Sequence, residues 1–351
     1  MKRNMLRTAA GCLAAAVLLS VTVFATPNIS AQSAILLDGT TGRVLYEQNA
    51  DVRAKVASTT KIMTGLLVAE ECDLSARVCI PEEASGIEGS SLYLKSGEVL
   101  TVEALLYGMM LHSGNDASAA LAMYCAGSIP AFAEKMNRRA QELELSNTNY
   151  VNPHGLDAEN HYSTARDLAK LAAAAMDNEI FHKVVSTKTA VFGERTFTNH
   201  NKLLWRYEGA VGVKTGYTMS AGRILVSAAE RNGRRLIAVT IRDKNDWADH
   251  MAMLDYGFSA YASREVAHCG QIFGEVPVIN GAEMTVQTVV QEDISWCLAQ
   301  GEQVELRPNL PAFVYAPVLA GEKAGTLSVL VDGKEVKQVP LYWRYSVLEE
   351  G

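Results

Sequence analysis

From Ala210 the chain reads AVGVKTGYT, GRILVSAAE and RRLIAVTIR, three apolar runs of strand length. The last two are joined across Arg231-Asn232-Gly233, a strong hairpin signal because Asn and Gly accept the positive φ of a tight turn. The chain is thereby committed to an antiparallel meander that must be covered by another layer. The preceding sequence supplies helices for it. One is expected from Ser58, with Ile62, Met63, Leu66 and Leu67 at helical spacing, and others over 101–113, 116–127 and 129–145. STARDLAKLAAAAM (163–176) opens with Thr164-x-x-Asp167, a capping box. A two-strand unit is read at SAILLDGTTGRVLYEQ (33–48), and a closing helix at 250–263. Strands, helices, meander and closing helix make an α+β (mixed α/β) fold, an antiparallel sheet flanked by helices, over residues 32–265. From Gly270 the helical signal stops. VPVINGAEMTVQTVV, QVELRP and GTLSVLVDGKEVKQVPLYW, with a hairpin at Asp332-Gly333, predict a small all-β domain over 270–346.

The first residues do not read as part of this fold. Lys2, Arg3 and Arg7 precede a stretch without charge that contains AAGCLAAAVLLSVTVFA (9–25). That is the pattern of an export leader, with VFA (23–25) and ISA (29–31) both fit for cleavage, and the alternative is an uncleaved N-terminal anchor. The leader is drawn here as residues 1–31, and the rest of the chain is expected to be exported. The net charge of −7 and the lack of any basic block exclude nucleic acid as the main partner. Cys72, Cys79, Cys125, Cys269 and Cys297 lie beyond the leader with no C-x-x-C or zinc spacing. Their odd number prevents complete internal pairing. Cys72 and Cys79 are close enough in sequence to bridge, but buried free thiols are the expectation.

The stretch VASTTKIMTGLLVAEE (56–71) puts Ser58 three residues before Lys61, in the turn where the helix dipole disfavours a cation. Residues three apart on a helix share a face, so the two side chains can touch. A serine hydroxyl becomes a nucleophile when a base takes its proton. A lysine serves as that base when burial or a neighbouring cation depresses its pKa. The bland alternative is a helix cap beside a surface lysine. S-x-x-K alone decides nothing, since a chain of this length holds about one by chance. Two further signals decide it: Ser113-Gly114-Asn115 in a turn after an apolar helix, and Lys214-Thr215-Gly216 on an apolar strand, each expected at roughly 0.05–0.1 per chain. Turn chemistry is the ordinary reading of Ser113 and Asn115 taken singly.

The set S-x-x-K, S-x-N and K-T-G is that of penicillin-recognising serine enzymes. ASTTKIMT, GSSLYLKSGEVLTVEALLYGMMLHSGNDASAALA, NPHGLD, HYSTARDLA and GVKTGYTMSAGRILVSAA together resemble the D-alanyl-D-alanine carboxypeptidases, low-molecular-mass penicillin-binding proteins. The resemblance implies Ser58 as nucleophile toward the last D-Ala–D-Ala bond of a peptidoglycan stem peptide, Lys61 as base and Ser113 as proton relay. It implies that Asn115, Lys214, Thr215, Gly216 and Tyr217 bind substrate, with backbone N–H groups of Ser58 and Tyr217 forming an oxyanion hole. It implies no metal and no cofactor, and β-lactam antibiotics as covalent inhibitors.

Two departures stand out. Many relatives carry an arginine, a little after the strand following K-T-G, that helps bind the terminal carboxylate. Here that place holds Trp247, with Arg242 and Lys244 the nearby cations. The C-terminal RYSVLEEG has no amphipathic anchoring helix, so membrane association, if any, is expected to be peripheral. His154 in NPHGLD reads equally as a site-bordering or a structural residue. The competing enzyme is a serine β-lactamase, which needs a glutamate-activated water; NPHGLD occupies that region and E-x-x-L-N is absent. The competing non-enzyme is a cell-wall-binding protein on the same fold, which predicts a damaged triad.

Overall fold

The computed structural model describes residues 25–351. The leader residues before Ala25 lie outside the described residues. β1 (Ser33–Asp38) and β2 (Val44–Gln48) pair antiparallel. A 3-10 turn (Ala57–Thr60) then leads into α1 (Lys61–Glu71). A short β3 (Arg77–Cys79) and β4 (Val99–Thr101) form their own ribbon before α2 (Val102–Leu111), α3 (Asn115–Ala126) and α4 (Ile129–Glu142). α5 (Ala165–Met176) begins at Thr164, whose side chain accepts the Asp167 N–H at 3.0 Å, as the capping box requires. α6 (Glu179–Ser186), the ribbon β5 (Thr189–Phe192)–β6 (Arg195–Thr198) and the short α7 (Leu203–Arg206) follow, none of them expected from the sequence. β7 (Ala210–Thr218), β8 (Gly222–Arg231) and β9 (Arg234–Ile241) are the meander, with Asn232 and Gly233 both at positive φ in the last turn.

One five-stranded sheet gathers these distant strands in the order β2-β1-β9-β8-β7, leaving β7 at an edge. Side-chain alternation explains why the meander is apolar throughout. Ile35, Leu37, Val226, Ile237 and Val239 point into a core shared with α1–α6. Their neighbours Ala34, Leu36, Leu225, Leu236 and Ala238 point into a second core under α8 (Asp246–Ala260), with Met253 and Leu254. Both faces are covered, so both registers of each strand must be apolar.

Beyond α8, β10 (Tyr261–Ala267) pairs with β13 (Ile294–Ala299). A second sheet is built from β11 (Ile272–Ile279), β12 (Thr285–Val289), β14 (Val304–Asn309), β15 (Val314–Tyr315), β16 (Lys323–Val331) and β17 (Lys334–Trp343). This is the expected C-terminal β domain. Arg43 ties it to the five-stranded sheet, reaching the Cys297 carbonyl at 2.7 Å and Glu302 through both terminal nitrogens.

The cysteines depart from expectation. Cys72, at the end of α1, is bonded to Cys125 on α3, while Cys79 and Cys269 are exposed thiols and Cys297 alone of these is a buried one. Cys79 is an exposed thiol on β3, paired to β4, and its short spacing from Cys72 did not decide the pairing.

Candidate active site

Ser58 lies in the 3-10 turn, and α1 begins at Lys61 rather than at Ser58 as the periodicity predicts. In a 3-10 turn residues three apart eclipse one another, which stacks the Ser58 and Lys61 side chains. Neither the turn nor α1 has a side-chain cap, so Ser58 is not an N-cap. The residue before it, Ala57, is held at φ +46°, a conformation L-residues avoid unless the surroundings impose it. Two glycines let those surroundings approach. A Cβ on Gly155, itself at φ +87°, would stand 1.8 Å from the Ala57 carbonyl oxygen, and one on Gly216 would stand 3.2 Å from that of Val56. The NPHGLD loop and the K-T-G strand thus clamp the Ser58 turn from two sides.

Lys61 is fully buried. Its Nζ lies 2.7 Å from Asn115 Oδ1, 2.7 Å from the His154 carbonyl oxygen and 3.1 Å from Ser58 Oγ. Burial, with the Lys214 charge nearby, drives its pKa well below the usual lysine range, against a weaker opposing pull from Asp116. Lys214, also buried, donates to Ser113 Oγ and to the Thr215 carbonyl, each at 3.0 Å; burial lowers its pKa to about 7. Ser113 sits at φ +66° between α2 and α3, and Asn115 opens α3. The Asn115 amide donates to the Glu88 carbonyl at 2.7 Å, which fixes its oxygen toward Lys61. Next to it, the buried Asp116 accepts from Ser91 Oγ and the N–H groups of Leu92 and Leu94, holding the loop that carries Ser90.

These side chains border an open cleft of about 330 Å³ that runs along the edge strand β7. Ser58, Ser113, Thr215, Gly216 and Tyr217 line it. Arg223, Asp246 and Trp247 line it as well. Arg223 pairs with Tyr217 in the β7–β8 register, which puts both on the α8 face of the sheet. Its Nε and Nη2 hold the Asp246 carboxylate at 2.6–3.1 Å, and its guanidinium lies 5.9 Å from the Trp247 ring centre. The cations considered from the sequence are elsewhere: Arg242 donates to the Ser220 carbonyl and lines a different surface depression, and Lys244 is exposed outside the cleft. Sequence reading missed Arg223. Counting back from the hairpin would have found it, since Thr218 pairs with Gly222 and the next pair is Tyr217 with Arg223.

His154 contributes its backbone carbonyl to Lys61, while its ring is buried and Nδ1 accepts the Leu156 N–H at 3.2 Å. Burial, then the Lys61 charge, lowers its pKa to about 3, so the ring is neutral. Among the described residues no cluster of His, Cys, Asp and Glu could hold a metal ion.

The model of the family described as D-alanyl-D-alanine carboxypeptidase matches residues 20–245, and that of the penicillin-binding protein 5 C-terminal domain matches 261–348. D-alanyl-D-alanine carboxypeptidase DacF of Bacillus subtilis is 36% identical over 333 residues, spanning 89% of this chain and 84% of its own. DacA of Escherichia coli is 34% identical over 343 residues, spanning 90% and 83%. The crystal structure of penicillin-binding protein 5 from Haemophilus influenzae superposes with a TM-score of 0.83 at 31% identity, over 93% of this chain and all of that one. Similarity of this extent runs through both the catalytic sheet and the β domain, and the chain belongs to the D-alanyl-D-alanine carboxypeptidase family of serine hydrolases.

Proposed function

We propose that Ser58 is the nucleophile of a D-Ala-D-Ala carboxypeptidase that trims peptidoglycan stem pentapeptides, with Lys61 as its base. Ser58 Oγ gives its proton to Lys61 Nζ and attacks the carbonyl of the penultimate D-alanine. The backbone N–H groups of Ser58 and Tyr217 receive the oxyanion. Lys61, through Ser113, returns the proton to the departing D-alanine nitrogen, and water then cleaves the acyl-enzyme. Lys214 holds Ser113 in place and, as a nearby cation, favours the neutral form of Lys61. The peptide lies along the free edge of β7 at Thr215 and Gly216 as an added strand. The observation that carries this reading is the chain of contacts Ser58–Lys61–Asn115 beside Ser113–Lys214, in which the half-buried Ser58 meets a cleft open to a peptide and the other four side chains are buried behind it.

Arg223 takes the substrate's terminal carboxylate in this reading. Its Nη1 is not used by Asp246, and a guanidinium matches a carboxylate in shape and charge. The β-lactamase alternative lacks support, because the NPHGLD loop presents a main-chain carbonyl to Lys61 in place of a deacylating glutamate. The chain works outside the cytoplasmic membrane, where its substrate is; no helix among the described residues is long and apolar enough to cross one. β-Lactams inhibit it by acylating Ser58.

Purified protein is expected to bind labelled penicillin covalently and to release D-alanine from a pentapeptide, and Ser58→Ala to lose both by at least about 10⁴-fold. Label retained by the alanine variant overturns the nucleophile. Penicillin turnover as fast as peptide hydrolysis overturns the carboxypeptidase reading.

A further inference from the structure

Val23-Phe24-Ala25 and Ile29-Ser30-Ala31 each end on an alanine with an aliphatic residue two positions before it, so both offer a place for a leader cut. The fold separates them. Ala25, Thr26 and Asn28 are exposed, whereas Ile29 and Ala31 are buried in the core beneath α8. The Ser30 N–H donates to Asp249 Oδ2 at 2.6 Å, and Ser30 Oγ lies 2.9 Å from both Asp243 Oδ1 and Asp249 Oδ2. The Ala31 carbonyl accepts from Gln48 Nε2 at 2.6 Å, and the Gln32 N–H reaches the Ile241 carbonyl at 3.1 Å.

Asp243 and Asp249 are both buried, at 1% and 6% exposure, and stand side by side. Burial, with Asp249 adjacent, pushes the Asp243 carboxyl up, and one of its oxygens has no partner. Carboxylates so placed need donors, and losing those of Ser30 leaves charge buried and unmet. Asp249 also belongs to the first turn of α8, the turn that carries Asp246 and Trp247 into the cleft wall. A cut after Ala31 would delete Ile29, both Ser30 donors and the acceptor of Gln48. A cut after Ala25 deletes none of them.

We propose that the leader is removed by hydrolysis of the Ala25–Thr26 peptide bond, and that Thr26–Ala31 stays in the mature enzyme as a brace on the first turn of α8. A leader peptidase and water supply the reaction, leaving a carboxylate on Ala25 and an ammonium on Thr26. The brace joins the start of β1 to the end of β9 and the head of α8, so the segment before the first strand is a working part of the catalytic domain.

The test is export of the full chain from a bacterial host, followed by intact mass and N-terminal sequencing of the recovered protein. A start at Thr26 is expected; a start at Gln32, a retained Met1 or any other start overturns the assignment. The brace is tested separately in the same exported chain. Ser30→Ala is expected to melt at least about 3 °C lower, with Ser30→Thr restoring most of the loss because it keeps the hydroxyl. An unchanged melting temperature in Ser30→Ala overturns the brace.

Discussion

The amine of Lys61 is surrounded by two groups that only accept hydrogen bonds, the Asn115 and His154 oxygens, and by the Ser58 hydroxyl. A neutral amine has two N–H donors and one lone pair. The two acceptors use both donors, and the lone pair is left for the Ser58 O–H. Protonation turns that third contact around, because an ammonium donates to Oγ and can no longer take its proton. Activity is therefore expected to fall as pH drops and Lys61 gains a proton, read as the rate of penicillin acylation from neutral pH down to the acid limit of the folded protein. A flat acylation profile over that range contradicts a neutral-lysine base. Arg223 makes a second prediction at this scale. Arg223→Ala should raise KM about 10–100-fold for a peptide with a free terminal carboxylate, the loss of a charge-assisted contact. The same peptide capped as an amide should show little change. Equal losses on both would mean that Arg223 only supports Asp246.

The Ser58 turn is shaped by elements distant in sequence. The NPHGLD loop touches it through a glycine because any side chain there would meet the Ala57 carbonyl. Gly155→Ala must move the turn, since backbone rather than a flexible side chain stands in the way, and its positive φ adds strain. The acylation rate is expected to drop at least about 100-fold, because displacing a nucleophile by about an ångström costs that much. An unchanged rate would mean that the clamp does not position Ser58. Thr164 serves as a control on the same layer. Its cap supports α5 away from the cleft, and Thr164→Ala should cost about 1 kcal/mol of stability with acylation intact. The capping box and the Asn232-Gly233 hairpin were readable in advance because each depends on residues next to one another. α6, β5 and β6 were not, because they are short and their packing against α2 and β7 forms only in the folded chain.

The whole molecule buries several imidazoles. His154 and His250 are lowered to about 3, His161 and His200 to about 4, in each case first by burial. Each stays neutral in the folded chain down to those values and takes a proton near 6.5 once unfolded. Over that window the unfolded state binds more protons, so stability is present above about pH 6.5 and is lost as pH falls toward 4. Urea midpoints are expected to decline steadily between pH 7 and pH 4; a constant midpoint contradicts burial of these rings. The acid limb of activity must accordingly be measured where circular dichroism still shows folded protein.

Local sequence determined the strands of the meander and of the β domain, most of the helices, both hairpins and the spacing that stacks Ser58 on Lys61, since each depends on residues within a turn or two of one another. The family motifs then identified Ser113, Asn115 and the K-T-G strand. Only the tertiary structure decided which groups complete the site. The His154 carbonyl lies 93 positions from Lys61, Cys125 lies 53 from Cys72, and Arg223 rather than Arg242 or Lys244 turns into the cleft. Such contacts follow from how layers pack and which strand register is adopted, and periodicity along the chain carries neither. The depressed lysines belong to the same class, because their chemistry comes from burial, a property of the assembled core.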